Sequence, residues 1–254
     1  MDHVIRATGL TKRFRDVRAV DGVDLSVSPG ERVALLGPNG AGKTTTLFML
    51  LGVVSPDSGH VEIAGLRLPE RRSEAMQHVG FAAGYMPLAE RLRVREFLGL
   101  YGGLYGLKDP SERIELGLER FGITRLGGVM ANELSSGQRT LVGIIKATLH
   151  SPRLLVLDEP TASLDPDVAQ RVRRGLQDLC ETEGTTLLVT SHNMVEVARL
   201  SDRVIFMSGG RIVADGTPQE VAGSFGQDDL EDVFLHIAGA AGAAGRTQET
   251  DHTA

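Results

Sequence analysis

At 254 residues the chain is long enough to bury a substantial core, and its composition is that of an ordinary globular protein. Its 27 basic and 33 acidic residues give a net charge of −6, which excludes the global basic field that favours nucleic acid or anionic lipid. A single cysteine, Cys180, excludes an internal disulfide, and without a secretory signal or an apolar run of roughly 20 residues we expect a cytosolic protein that binds no nucleic acid.

The first third of the chain shows strand-like runs and one helix-like stretch. Short apolar runs predict strands at Val23–Val27 and Arg32–Leu36. The second run leads through a glycine-rich turn into a helix-like stretch at Lys43–Leu51. Further strands are predicted at Val61–Ala64 and Val79–Ala83.

A helical segment follows, from about residue 85 to about residue 150, where strand character is lost and apolar residues take helical spacing. Within it, Asp109 has the position of an N-cap residue and Pro110 that of a proline in the first turn. Glu112 has the position of the capping-box glutamate, whose side chain accepts a hydrogen bond from the backbone N–H of the N-cap residue. A helix is therefore predicted to begin there.

Strand and helix then alternate again, which predicts an α/β fold with a largely parallel sheet covered by helices. The predicted strands are Leu154–Leu157, Thr185–Thr190 and Arg203–Met207, and the predicted helices are Pro166–Cys180 and Asn193–Leu200. We expect residues 1–237 to form a single domain. Residues 238–254, rich in alanine, glycine and polar side chains, are predicted to be a disordered tail.

A glycine-rich loop joins the predicted strand Arg32–Leu36 to the helix that follows, and it fits the pattern G-x-x-x-x-G-K-[ST]. Such glycines turn backbone N–H groups around phosphate oxygens, and the helix N-terminus adds positive potential. Lys43 would neutralise the terminal phosphates and Thr44 would ligate magnesium. An ordinary glycine-rich turn is the competing interpretation. The predicted nucleotide contacts are Gly37, Pro38, Asn39, Gly40, Ala41, Gly42, Lys43, Thr44 and Thr45.

Two adjacent carboxylates, Asp158 and Glu159, follow the apolar run Leu154–Leu157. Strand alternation would point them in opposite directions, so that Asp158 holds the magnesium shell and Glu159 polarises the attacking water. Alone, such a pair is more often a solvated strand end. Downstream of a phosphate-binding loop, the catalytic interpretation is favoured.

Three further motifs lie downstream of the glycine-rich loop. Leu134-Ser-Ser-Gly-Gln138 ends about 20 residues before Asp158, Ala162-Ser-Leu-Asp165 follows the carboxylates, and Thr190-Ser-His192 ends a predicted strand. Together with the loop and the carboxylates, these motifs resemble those of the ABC ATPase family. The resemblance implies a P-loop NTPase core, an N-terminal antiparallel β subdomain, and a helical insert that carries the signature motif.

The family sandwiches two ATP molecules between two protomers, each ATP bound by the phosphate loop of one protomer and the signature of the other. The resemblance therefore implies ATP and Mg²⁺ as cofactors, and as partner a second ATP-binding subunit, either an identical copy or a related chain. It gives Asp165 a role in dimer communication and His192 the contact with the γ-phosphate. Read alone, the signature is more simply a helix cap. The contacts implied in trans are Ser135, Ser136, Gly137 and Gln138.

Phe14 lies where the family places an aromatic side chain that stacks on adenine, and core packing is the competing interpretation. Ser136 replaces the first glycine of the family's signature, which is acceptable provided that its φ stays negative.

Gly84 departs from the family pattern, because it stands where a glutamine normally touches magnesium and links the nucleotide to the membrane subunit. Between Gln77 and Gln138 the sequence has no glutamine. Tyr85 and Glu90 are the nearest polar candidates for a substitute contact, and a surface role is the competing interpretation for each.

Three classes of function remain open. The leading hypothesis is the ATP-binding and hydrolysing subunit of an ABC transporter, held at the inner face of the membrane by an integral membrane permease. We expect an exporter, because Leu230–Leu235 resembles the C-terminal segment of drug-exporter ATPases. A soluble ATPase that remodels a protein partner is the second class. A module that clamps on ATP without turnover is the third, and the presence of Glu159 and His192 argues against it.

Overall fold

The structure, a computed structural model, describes residues 3–84, 87–162, 164–237 and 239, in which strands and helices alternate. The strands are β1 (Ile5–Phe14), β2 (Val17–Val27), β3 (Arg32–Leu36), β4 (Ser58–Ile63), β5 (Leu66–Leu68), β6 (Val79–Ala83), β7 (Leu154–Asp158), β8 (Thr186–Thr190), β9 (Arg203–Ser208) and β10 (Arg211–Gly216). The helices are α1 (Lys43–Leu50), α2 (Arg72–Met76), α3 (Val94–Leu104), α4 (Ser111–Arg120), α5 (Ser136–Thr148), α6 (Pro166–Glu183), α7 (Met194–Leu200), α8 (Pro218–Ser224) and α9 over residues 230–237.

The larger sheet has six strands in the order β10-β9-β3-β8-β7-β6. The neighbours from β9 to β6 pair in parallel, whereas β10 pairs antiparallel with β9. Strands β7 and β8 are buried along their whole length, as expected where helices or a second sheet cover both faces. The predicted mainly parallel α/β fold is confirmed.

The smaller sheet has four antiparallel strands in the order β2-β1-β4-β5. It confirms the antiparallel N-terminal unit that the resemblance implied. The pairing of β1 with β2 shifts register three times, which breaks the strict alternation that marks a strand in a sequence. This irregularity explains why β1 was not predicted.

Two hydrophobic cores lie on opposite faces of the larger sheet. Successive strand residues alternate between them: Leu155 and Leu157 join one core, and Leu154 and Val156 join the other. The first core includes apolar residues of helices α3 to α7, and the second includes those of the smaller sheet and α1. The larger sheet is thus packed on both faces, which fixes the positions of the side chains at the carboxyl ends of its parallel strands.

The predicted helical segment contains α3, α4 and α5. The predicted capping box at the start of α4 is wrong, because α4 begins at Ser111 with Pro110 as its N-cap. Glu112 therefore lies one position too early to reach back to the cap. The Asp109 carboxylate instead accepts a hydrogen bond from the N–H of Ser111, at 3.0 Å.

The C-terminal part of the described chain ends in α9, where Val233 is buried in the core on the helical side of the sheet. None of the helices in the described residues is long and apolar enough to cross a membrane. The predicted tail, residues 238–254, lies outside the described residues apart from Gly239, so the division of the chain at residue 237 stays a prediction.

Candidate functional site

The loop between β3 and α1 requires glycine at two positions. Gly37 has a φ of 145°, and a Cβ there would lie 2.2 Å from the carbonyl oxygen of Met207 in β9. Gly42 has a φ of 102°, and a Cβ there would lie 2.4 Å from the carbonyl oxygen of Ala19 in β2. Gly42 also leaves the N-terminus of α1 without a capping side chain. The first-turn N–H groups of the helix are therefore available to a phosphate.

Lys43 lies buried within the curve of this loop. Its Nζ donates hydrogen bonds to the carbonyl oxygens of Gly37, at 2.7 Å, and Pro38, at 3.2 Å. Burial lowers the pKa of Lys43, and the nearby charges of Glu159 and Asp158 act in the opposite direction. The lysine of the loop and the two predicted carboxylates therefore share one electrostatic site.

Oxygen donors suited to magnesium are present at this site. Thr44 is exposed in the first turn of α1, and Asp158 supplies a carboxylate at the end of β7. Mg²⁺ prefers oxygen ligands and commonly takes only one or two from the protein, with water and phosphate supplying the rest. This donor set fits Mg²⁺. The other loop residues range from exposed to buried; they are Asn39 and Gly40 (exposed), Thr45 (partly buried) and Ala41 (buried).

Asp158 and Glu159 differ in backbone conformation, because β7 ends between them.

 Asp158 is the last residue of β7 and is buried, and its Oδ1 accepts a hydrogen bond of 2.6 Å from the hydroxyl of Thr190. Glu159 lies beyond the strand with a φ of 52°, in the left-handed region. The expectation that strand alternation separates the two side chains is therefore wrong, because the strand has already ended and a backbone turn directs Glu159.

Glu159 and His192 are in direct contact. The Nδ1 of His192 lies 2.8 Å from Oε2 of Glu159, so the ring N–H donates to the carboxylate. The Glu159 side chain is 27% exposed and that of His192 is 62% exposed, which leaves both accessible from the surface. The structure thus brings together the two residues predicted to be catalytic.

The signature motif opens α5. The Ser135 hydroxyl accepts a hydrogen bond from the N–H of Gln138, and the Gln138 side chain accepts one from the N–H of Ser135, which forms a capping box. Ser136 is the first helical residue, so its φ is negative as the sequence required. Among the described residues, no hydrogen bond or ion pair joins the signature to the phosphate loop of the same chain.

The signature helix packs on the helix that follows Asp165. A Cβ at Gly137 would lie 3.1 Å from Cγ1 of Val168 and 3.4 Å from Cδ2 of Leu164. Asp165 is the N-cap residue of α6, but it is exposed and its side chain makes no capping hydrogen bond. Its carboxylate therefore faces solvent beside the signature helix.

Phe14 is 47% exposed at the tip of the β1–β2 hairpin, so the core-packing interpretation is wrong. The Lys12 ammonium lies 5.6 Å from the centre of the ring, within cation–π range. Lys12 is itself held by the carboxylate of Asp57, at 2.7 Å, and the carbonyl oxygen of Ser55, at 2.8 Å. Sequence reasoning missed this anchor, because residues 12 and 57 are distant in the chain.

Gly84 lies directly after β6 and continues its pairing with β7, because its N–H donates to the carbonyl oxygen of Asp158 at 3.2 Å. A Cβ at Gly84 would lie 3.1 Å from the carbonyl oxygen of Glu159. The position thus contacts the backbone of Asp158 and Glu159 but carries no side chain. Tyr85 lies outside the described residues, and Glu90 is exposed.

The candidate site is an open surface at the carboxyl ends of the parallel strands. Cavities of about 380 Å³ and 290 Å³ are present elsewhere, where Pro29 and Arg153 precede β3 and β7 at the amino ends of the strands. Ligands of open α/β sheets bind at the carboxyl ends, so the chemistry of the residues identifies the site better than cavity volume does.

The sequence matches the protein family described as ABC transporter over residues 20–162, a span that includes the phosphate loop, the signature and both carboxylates. The chain is 36% identical over 237 residues to the probable multidrug ABC transporter ATP-binding protein YbhF of Escherichia coli (strain K12). That alignment covers 92% of this chain but 41% of the relative, so the chain spans less than half of the length of that protein.

Two further comparisons cover most of this chain and most of the protein compared with it. The chain is 35% identical over 236 residues to the Nod factor export ATP-binding protein I of Cupriavidus metallidurans, covering 92% of this chain and 78% of the relative. A solved structure of the ATP-binding subunit of an ABC transporter superposes with a TM-score of 0.84 at 26% identity, covering 92% of this chain and 99% of that one. The chain therefore belongs to the ABC transporter family of ATP-binding proteins.

Proposed function

We propose that this chain is the ATP-binding and ATP-hydrolysing subunit of an ABC exporter. The observation that carries the proposal is the position of Lys43, buried in a glycine loop and within the field of Asp158 and Glu159. A cation for phosphate oxygens, a carboxylate for a metal and a second carboxylate for water are the groups that phosphoryl transfer to water requires.

In the proposed reaction the loop N–H groups and Lys43 bind the phosphates of ATP. Magnesium, held by Thr44 and Asp158, would neutralise phosphate charge when bound. Glu159 polarises the water that attacks the γ-phosphate, and His192, which shares a hydrogen bond with Glu159, contacts that phosphate. Phe14 supplies an exposed ring on which adenine stacks.

The proposed site is completed by a second subunit, whose signature residues Ser135 to Gln138 face the γ-phosphate. Exposure of Thr44 and His192, and the absence of a bond between signature and loop within the described chain, support this arrangement. The partner is an identical copy or a related chain. Pairing would drive an integral membrane permease, which would hold the subunit at the cytoplasmic face of the membrane.

The export direction is supported by two relatives. One is named as a probable multidrug ABC transporter ATP-binding protein, and the other as a Nod factor export ATP-binding protein. Neither of those relatives is named as a soluble remodelling ATPase, and no contact in the described residues favours that alternative. Copurification of the chain with an integral membrane protein is the result that we expect. Purification as a stable complex with a soluble partner instead would contradict the transport role.

ATP hydrolysis is tested by phosphate release from the purified chain. The wild type should release phosphate in the presence of ATP and Mg²⁺, and Lys43→Ala should abolish the release. Lys108→Ala is the matched control, because Lys108 is an exposed lysine between α3 and α4. A Lys43→Ala variant as active as Lys108→Ala would contradict the proposed site.

A further inference from the structure

The hydroxyl of Thr190 lies between the two carboxylate residues of the site. Thr190 is the last residue of β8, is fully buried, and pairs in register with Asp158 of β7. Its Oγ1 donates a hydrogen bond of 2.6 Å to Oδ1 of Asp158 and accepts one of 3.1 Å from the N–H of Glu159. One side chain therefore contacts both residues.

The direction of these bonds is fixed by the chemistry of the groups. An ionised carboxylate only accepts and a backbone N–H only donates, so the single hydroxyl proton of Thr190 must point at Asp158. Hydrogen bonds to an ionised acceptor are the short, strong class, and the 2.6 Å distance agrees with that. The rotamer of Asp158 is thus held by a group that is itself immobile in the core.

Glu159 gains a second constraint from the same residue. Its N–H also lies 3.2 Å from the carbonyl oxygen of Thr190, so the backbone of Glu159 is bound to both oxygens of one threonine. Glu159 has a φ of 52°, a conformation that non-glycine residues rarely adopt and that needs support from its surroundings. Thr190 supplies that support at the start of the turn.

We propose that Thr190 is a positioning residue for nucleotide hydrolysis: its hydroxyl fixes the rotamer of the Asp158 carboxylate, which would hold the metal. It also holds the backbone turn that presents Glu159 to water. The inference rests on the proposed function. In the sequence, Thr190 is noticeable only as the first residue of the Thr190-Ser-His192 motif. Its position beside Asp158 depends on the register between β7 and β8, which the sequence of one strand does not specify.

The test is the isosteric variant Thr190→Val, with Thr190→Ser to restore the hydroxyl. Metal binding is measured directly, by electron paramagnetic resonance of Mn²⁺ titrated into the chain with a non-hydrolysable ATP analogue. We expect Thr190→Val to weaken Mn²⁺ binding by roughly tenfold, as is usual when a group that orients a metal ligand is lost. The turnover rate should fall with it, and Thr190→Ser should restore both.

Binding of a fluorescent ATP analogue in EDTA should not change in Thr190→Val, because the phosphate loop is untouched. Thr186→Val is the matched control: Thr186 is a buried threonine at the other end of β8, and its hydroxyl accepts from the N–H of Gly30. It should leave the Mn²⁺ titration unchanged. Thr190→Ala, which also lacks the hydroxyl, serves if Thr190→Val does not fold.

Two results would overturn the inference while leaving the proposed function intact. One is an unchanged Mn²⁺ titration in an active, folded Thr190→Val variant. The other is a Thr190→Ser variant as defective as Thr190→Val, because the returned hydroxyl would then restore neither metal binding nor turnover. A wild-type chain that neither binds nor hydrolyses ATP would overturn the proposed function and this inference together.

Discussion

In the proposed site, Lys43 binds the phosphates and Glu159 activates the water, so the two residues have separate roles. The Lys43 ammonium is already directed into the loop by two carbonyl oxygens, so a phosphate replaces contacts that are weaker than its own. Glu159 is held by its backbone and by His192, and its carboxylate remains partly exposed. Binding and turnover should therefore be separable by mutation.

Glu159→Gln should keep ATP binding but stop turnover, because an amide does not accept the proton of the attacking water. We expect the rate of phosphate release to fall by at least about 100-fold, the usual contribution of a general base. Size-exclusion chromatography with ATP and Mg²⁺ should show an accumulated dimer. Glu181→Gln, an exposed glutamate on α6, is the control. Wild-type turnover in Glu159→Gln would remove Glu159 from its proposed role.

Phe14→Ala should weaken ATP binding by roughly tenfold, because stacking of a base on an aromatic ring is worth about 1–3 kcal/mol. The free energy of unfolding should change little, since the ring is 47% exposed. Isothermal titration with ATP and with tripolyphosphate, which lacks the base, separates the two contributions. The tripolyphosphate affinity should be unchanged, and so should ATP affinity in Val53→Ala, another exposed apolar side chain. Equal losses for both ligands would contradict stacking.

At the scale of elements, the predictable parts are those with a local signal. Strands such as β7 and β8 are continuous apolar runs, and the loop before α1 follows from its glycines and lysine. Helix α8 was missed although Thr217, Pro218 and Glu220 form a capping box with a first-turn proline, a signal that the sequence does contain. Contacts between elements, such as Thr190 with Asp158, depend on strand register and order, which no local pattern encodes.

The loop after β6 is an element in which we expect this chain to depart from the family pattern. Gly84 has no side chain with which to sense the nucleotide, so ATP hydrolysis should depend only weakly on the membrane subunit. Gly84→Gln should strengthen that dependence, because it supplies the missing carboxamide. The backbone there is not left-handed, and the new Cβ would have one close contact, 3.1 Å from the carbonyl oxygen of Glu159, which must shift by a few tenths of an ångström. ATPase rates with and without the permease in lipid provide the measurement.

Gly223→Gln is the control for that experiment, because Gly223 is an exposed residue of α8 with open space around it. It should leave the dependence on the permease unchanged. A wild-type rate that the permease strongly stimulates, and that Gly84→Gln does not alter, would show that another residue couples the loop to the membrane subunit.

At the scale of the whole molecule, the phosphate loop and the signature of one chain belong to different parts of the fold. The phosphate loop lies at the carboxyl edge of the larger sheet, and the signature opens α5 in the helical segment. In the described residues no bond connects them, and Thr44, His192 and Asp165 are all exposed. In the arrangement that we propose, two copies pair about a two-fold axis so that each loop lies opposite the signature of the other.

The most direct test mixes two inactive variants, Ser135→Arg and Lys43→Ala. Each alone should fail to hydrolyse ATP, the first because its signature is blocked and the second because its loop lacks the cation. In an equal mixture, half of the dimers are mixed and each has one sound site, so about a quarter of the wild-type phosphate release should return. A mixture no more active than either variant alone would contradict the account, since it would show that the loop and the signature do not act across two chains.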